Sequence, residues 1–154
     1  MPRDALRAVF GFAAAALFAM PLAASGMPAP EADVAEIRTT IATLYDALKR
    51  DDVATFRSVV APGFYSFDGG ARFAGDELMQ LIIGRHADGW VFEWNLGEPE
   101  IAVHGDMAWA TWLNQGFVQD PRGKRDAVAW LESAVLCKDA GRWRILFFHS
   151  SRAK

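Results

Sequence analysis

The run from Arg142 to Arg152 constrains the fold more than any other stretch. It reads Arg-Trp-Arg-Ile-Leu-Phe-Phe-His-Ser-Ser-Arg, the densest series of β-favouring residues in the chain. The turn Asp139-Ala140-Gly141 introduces it. Apolar residues occupy both alternating faces, so this strand needs a cover on each side. His149, Ser150 and Ser151 are polar groups at the end of an otherwise apolar strand. They mark the wall of a pocket, and His149 is a first candidate for its reactive group.

The segments before it supply the cover. Val34, Ile37, Ile41, Leu44 and Leu48 recur at three- and four-residue steps, which predicts an amphipathic helix over Glu31–Arg50. Acids at its start and Lys49-Arg50 at its end match the helix dipole. A short helix follows over Val53–Val60, capped by Asp51 or Asp52 and stopped by Ala61-Pro62-Gly63. Phe64–Phe67 and Ala71–Ala74 form a hairpin about Asp68-Gly69-Gly70. A third helix spans Glu77–Arg85. The rest is sheet: a long strand Trp90–Val103 bent near Gly97-Glu98-Pro99, then Met107–Gln119, Lys124–Lys138 and Arg142–Arg152. Three helices followed by long paired strands give an α+β domain over residues 31–152.

Upstream, Arg3 and Arg7 precede an apolar run, Ala8–Met20, then Pro21 and small residues. This is the layout of a signal peptide over residues 1–26, cleaved at about 24–26, with a short Pro-containing tether at 27–30. The expectation is export, periplasmic or secreted, with no stable membrane span after cleavage; an uncleaved anchor is the alternative. One cysteine, Cys137, excludes an internal disulfide, and a buried position would protect it in an oxidising compartment. His86, His104 and His149 are scattered without ligand spacing, so no metal site is supported. A net charge of -3 with no basic stripe argues against nucleic acid. The 6 tryptophans begin at Trp90, so the second half holds either an aromatic core or an aromatic-lined cavity.

The order and spacing of several short runs carry a resemblance. They are Leu-Tyr-Asp-Ala-Leu-Lys-Arg-Asp-Asp at 44–52, Ala-Pro-Gly-Phe-Tyr-Ser-Phe-Asp at 61–68 and Phe-Ala-Gly-Asp-Glu-Leu at 73–78. Val-His-Gly-Asp-Met-Ala-Trp at 103–109 and Gly-Arg-Trp-Arg-Ile-Leu-Phe-Phe-His-Ser-Ser at 141–151 complete the set. Together they resemble the nuclear transport factor 2-like superfamily, in particular its SnoaL-like and ketosteroid-isomerase-like members. The resemblance implies a cone in which three N-terminal helices pack in a strongly curved, mainly antiparallel sheet. It also implies an apolar pocket and a homodimer formed through the outer sheet face. No cofactor is implied. Members include isomerases, cyclases, dehydratases and non-enzymatic binding or assembly domains, so fold alone does not assign activity.

Carried over residue by residue, the general-base aspartate of the isomerases falls at Asp68. A carboxylate beside an apolar pocket suits proton abstraction next to a carbonyl; the bland alternative is a turn aspartate bonded to local backbone. The family's tyrosine donor falls at Leu44, with Tyr45 one step round the helix. Its acid falls near Ser133 or Ala134, and Glu132 is placed on the other face from Ser133, so no oxyanion hole is evident. The association domain of calcium/calmodulin-dependent kinase is similar in the last three strands, but its arginine cluster does not carry over to Asn114, Ala134 and Ser150. The resemblance also points Leu146, Phe148 and Ser150 into the cone and His149 outward, unless a bulge intervenes. Tyr45, Trp112, Asn114, Phe148 and Ser150 are the candidate ligand-binding residues; Asn114 is alternatively a satisfied core amide. The first reading is a pocket for a small hydrophobic ligand, or an assembly module. The alternative is a cofactor-independent isomerase, cyclase or dehydratase using Asp68, with His149 as the second catalytic candidate.

Overall fold

The computed structural model describes residues 31–154. The proposed signal peptide and tether lie outside the described residues. Helix α1, Glu31–Arg50, buries Ile37, Ile41, Leu44 and Leu48 along one stripe, with Glu31 and Asp33 in its first turn and Lys49 and Arg50 in its last. Each such side chain taken from water contributes about 1.5–3 kcal/mol. Helix α2, Val53–Val59, is capped by Asp52, whose carboxylate accepts the Thr55 N–H at 3.0 Å. Strands β1 (Val60–Asp68) and β2 (Ala71–Ala74) form a hairpin, and α3 spans Glu77–Ala87. Then come β3 (Val91–Leu96), β4 (Glu100–His104), β5 (Met107–Gln119), β6 (Arg125–Asp139) and β7 (Arg142–Arg152).

The strands form one curved sheet in the order β2-β1-β7-β6-β5-β3, with β4 also paired to β5. Only β1 and β7 run parallel; every other pairing is antiparallel. The run that opened the sequence reading, β7, is therefore central and flanked on both edges. On the inner face, Ala108, Ala110 and Ala134 are nearly fully buried in one cluster with Ile37, Ile41 and Leu44.

Three expectations change. Strand β1 starts at Val60 rather than Phe64: Ala61, Pro62 and Gly63 end α2 but continue as extended chain. Gly63 takes φ +82° there, and the β1–β7 register shifts between Val60 and Tyr65. The single strand expected over Trp90–Val103 is two, β3 and β4, both on β5. Between them the Gly97 N–H donates to the Leu113 carbonyl at 2.8 Å, where a Cβ would sit 2.6 Å from that oxygen.

The third change concerns β7. Val135 pairs with Phe147 and Leu136 with Ile145, so Leu146 is an unpaired bulge residue. It is half-buried, whereas Trp143 and Ile145 before it are buried, as are Phe148 and Ser150 after it. The expectation that Leu146 points into the cone is corrected: the bulge puts odd-numbered residues inside before it and even-numbered ones after it. Cys137 is half-buried, less protected than expected, and burial raises its thiol pKa.

The closed end of the cone is held by a polar clasp. The Asp33 carboxylate accepts from Lys138 Nζ at 2.7 Å and from Trp143 Nε1 at 2.9 Å. Glu36 accepts the Trp143 backbone N–H at 3.0 Å, and the Thr40 hydroxyl donates to the Trp143 carbonyl at 3.2 Å. The start of α1 is thereby tied to the β6–β7 hairpin.

Candidate functional site

A cavity of about 840 Å³ opens at the other end. Tyr45 and Leu48 from the last turns of α1 and Leu78 and Ile82 from α3 form one side. Phe92, Trp94, Val118, Trp130 and Phe148 supply the aromatic and aliphatic wall. Its volume falls in the range of small-molecule sites. The Tyr45 ring meets Trp94, Trp112 and Phe148 edge-on, with centroids 5.8, 6.5 and 6.4 Å away. The helix thus presents a tyrosine to three aromatic groups of the sheet.

Across this wall runs a transverse row of polar side chains. Trp112 pairs with Glu132, Glu132 with Ser150 and Ser150 with Asp68, on β5, β6, β7 and β1. Each lies on the inner-face alternation of its strand. Ser66 and Phe64, two and four residues before Asp68, are buried, while Tyr65 and Phe67 are not. The two carboxylic acids, Asp68 and Glu132, flank Ser150. They stand two strand spacings apart, about 10 Å between Cα atoms.

Their environments differ. Glu132 is 5% exposed, and burial pushes its carboxyl up to about 8; the Ser150 hydroxyl, donating to Oε1 at 3.1 Å, only partly offsets this. At neutral pH it is therefore mainly a carboxylic acid, able to donate. Its other oxygen, Oε2, has no hydrogen-bond partner among the described residues. Asp68 lies nearer the mouth. Burial raises its pKa, while the Gly69 N–H and the charges of Arg152 and His149 pull it back.

The candidate residues separate accordingly. Asp68, Tyr45, Phe148 and Ser150 come together on the cavity wall. Trp112 and Asn114 also face inward but lie behind that wall; Trp112 stacks on Phe148 at 6.1 Å. His149 is exposed, its ring edge-on to Phe67 at 6.4 Å, and it borders the mouth from the outer face. Among the described residues neither the nitrogen nor the oxygen of the Asn114 amide has a partner, and the hydroxyls of Tyr45 and Ser66 and the indole N–H of Trp112 are likewise buried without partners. Such groups cost roughly 1–3 kcal/mol each when left unbonded. Of these residues Tyr45 lines the cavity, while Ser66, Trp112 and Asn114 lie outside its lining.

Glu132 is the residue missing from the sequence candidates. It does lie on the opposite face from Ser133, as expected, but that face is the inner one, shared with Trp130, Ala134 and Leu136. The absence of an acid donor inferred from sequence is thus corrected. A readable signal existed: a single acid in a period-two series of buried apolar residues. Among the described residues, no three His, Cys, Asp or Glu side chains group as a metal site.

The SnoaL-like domain model matches residues 37–153. No curated protein matches by sequence. Among solved structures, a ketosteroid isomerase-like protein from Erwinia carotovora atroseptica is 19% identical, with a TM-score of 0.67 over 79% of this chain and 97% of that one. The CaMKII hub of S. rosetta is 22% identical, with a TM-score of 0.65 over 77% and 95%. A protein with a cystatin-like fold from Caulobacter vibrioides is 14% identical, with a TM-score of 0.66 over 80% and 91%. At these identities the likeness concerns the fold.

Proposed function

The chain belongs to the SnoaL-like domain family, and from that premise we propose that its cavity binds a small apolar carbonyl compound and moves a proton on it. Asp68 is the base and Glu132 the donor to the carbonyl oxygen. The observation that carries this reading is the pair of inward carboxyls flanking Ser150, one mainly protonated at neutral pH and one at the mouth. A protonated donor with a second carboxyl group across the site is what acid–base chemistry needs. The Asp68 carboxylate takes a proton from the carbon next to the carbonyl, and the electron pair moves onto oxygen. The Glu132 hydroxyl bonds that developing charge, and Asp68 returns the proton to carbon. Ser150 donates to Oε1 of Glu132, which leaves Oε2, buried and without a partner among the described residues, as the oxygen free to carry the proton.

The test is deuterium exchange. 1-Phenylpentan-1-one incubated in D2O is expected to gain deuterium at its α-carbon faster with protein than without, followed by proton NMR. Asp68→Asn should lose roughly 100-fold or more of that excess. No excess over buffer with the intact protein, under conditions where the ketone binds, would leave a binding domain only.

A second reading concerns assembly. On the outer sheet face Trp109, Leu113 and Leu131 are 50%, 41% and 57% exposed, and Leu113 pairs directly with Leu131. Exposed apolar groups clustered on one face mark an interaction surface, so we propose a homodimer through it. Light scattering should report twice the monomer mass, and Leu131→Glu should reduce it; a monomeric intact protein at high concentration would sink the proposal. We also propose export, on the basic, apolar and small-residue order of residues 1–26. N-terminal sequencing of the protein from its host should begin between residues 25 and 27.

A further inference from the structure

Beyond Ser150, the inner face of β7 continues to Arg152, opposite Trp130 on β6. Arg152 borders the cavity mouth, and among the described residues its guanidinium has no carboxylate within 4.0 Å. Arg72, on β2, also reaches the rim, though its guanidinium sits 4.7 Å over the Tyr65 ring. Of the two acids lining the cavity, Glu132 is the inner one and mainly neutral, which leaves Asp68 as the acid at the mouth. An acidic chain, at -3 overall, thus places an exposed cationic side chain at the entrance of its own pocket, near enough to Asp68 for its charge to be felt there.

We propose that the cavity selects a keto acid: an apolar body inside, the ketone oxygen on Glu132, and a carboxylate at the mouth on Arg152. The spacing follows from the strand. Arg152 lies two residues from Ser150, the neighbour of Glu132, and two residues of β-strand span about 7 Å. Carboxylate and ketone oxygens that far apart correspond to a three-methylene spacer. An arginine fork reads a carboxylate better than any neutral ester. The inference rests on the carbonyl-binding reading above and adds the ligand's charge and the position of that charge.

The probe is 5-oxo-5-phenylpentanoate, compared with its methyl ester, with binding followed by the fluorescence of cavity tryptophans Trp94 and Trp130. At low salt the acid is expected to bind about tenfold more tightly than the ester, and the ratio should fall as added salt screens the charge. Arg152→Gln should bring the ratio towards one, while Arg152→Lys should retain part of it. The shorter acid 3-oxo-3-phenylpropanoate should show less preference over its own ester. Equal affinities of acid and ester for the intact protein, or a ratio untouched by Arg152→Gln, would overturn the keto-acid inference and leave the carbonyl site standing. Failure of both acid and ester to bind would overturn the carbonyl site itself and the inference with it.

Discussion

The two ends of the cone treat most of their buried polar groups in opposite ways; Arg144 Nε, beside the clasp, is the exception, with no hydrogen-bond partner among the described residues. At the closed end Asp33, Glu36, Thr40 and Lys138 all engage Trp143 or one another. At the open end Tyr45, Ser66, Asn114 and Glu132 each keep at least one atom without a partner. Helix α1 and strands β6 and β7 serve both ends. The difference separates polar groups that hold the fold from polar groups the fold holds. A partnered group contributes stability; an unpartnered one costs it, and its persistence needs another reason.

This contrast can be broken most forcefully at the closed end. Trp143 is 2% exposed and bonded through its indole and both backbone groups. Trp143→Ala should cost roughly 3–5 kcal/mol, read as a lower urea midpoint. At the open end the sharpest probe is pH. Glu132 has its folded pKa raised from 4.5 to about 8, so the native state binds more protons than the unfolded chain between those values. Stability should therefore fall as pH rises through that window, with a slope of up to about 1.4 kcal/mol per pH unit. In Glu132→Gln that slope should largely vanish in urea titrations at pH 5, 6.5 and 8; an unchanged slope would remove Glu132 as the neutral donor.

Smaller effects distinguish the ends by sign. Tyr45→Phe removes an unpartnered hydroxyl and should leave stability unchanged or raise it by about 1 kcal/mol, while weakening ketone binding. A clear loss of stability would mean that the hydroxyl belongs to the holding set. Asp33 is the reverse case. Its hydrogen bonds from Lys138 and Trp143 lower its pKa below 3.8, so its contribution is present above that value and lost as pH falls through the folded pKa. Asp33→Asn should flatten the acid limb of the stability curve and leave the window from 4.5 to 8 untouched. The two carboxyls thus give the protein pH dependences of opposite direction, one from each end.

The sequence discloses the helices well because their signals are local. The stripe of α1, the Asp52 cap and the Gly-containing hairpins depend on neighbours a few residues away. It leaves the face of Asp68 open, because it reads that residue as part of the turn rather than as the end of β1. It does not disclose that Glu132, Ser150 and Asp68 stand abreast, because that alignment depends on the register of three strands distant in the chain. Nor does it show β1 continuing through Pro62-Gly63, since β1 pairs with β7 at Val60 and again from Tyr65 onward, with the register shifted between them. The outer face of His149 is legible, but the inward face of Trp143 and Ile145 is hidden by one unpaired residue.

That residue, Leu146, has a consequence for how such a wall can change. In a regular strand, a one-residue insertion exchanges inside for outside along everything that follows. Here the extra residue is absorbed, and the two halves of β7 keep independent phase. If regular pairing instead ran on from Ile145, Phe147 and His149 would turn inward, and an imidazole would stand where Ser150 now separates two acids. The polar character of the cavity wall is thus set by the parity of one strand, a discrete variable that a single insertion or deletion can flip while the composition of the wall hardly changes.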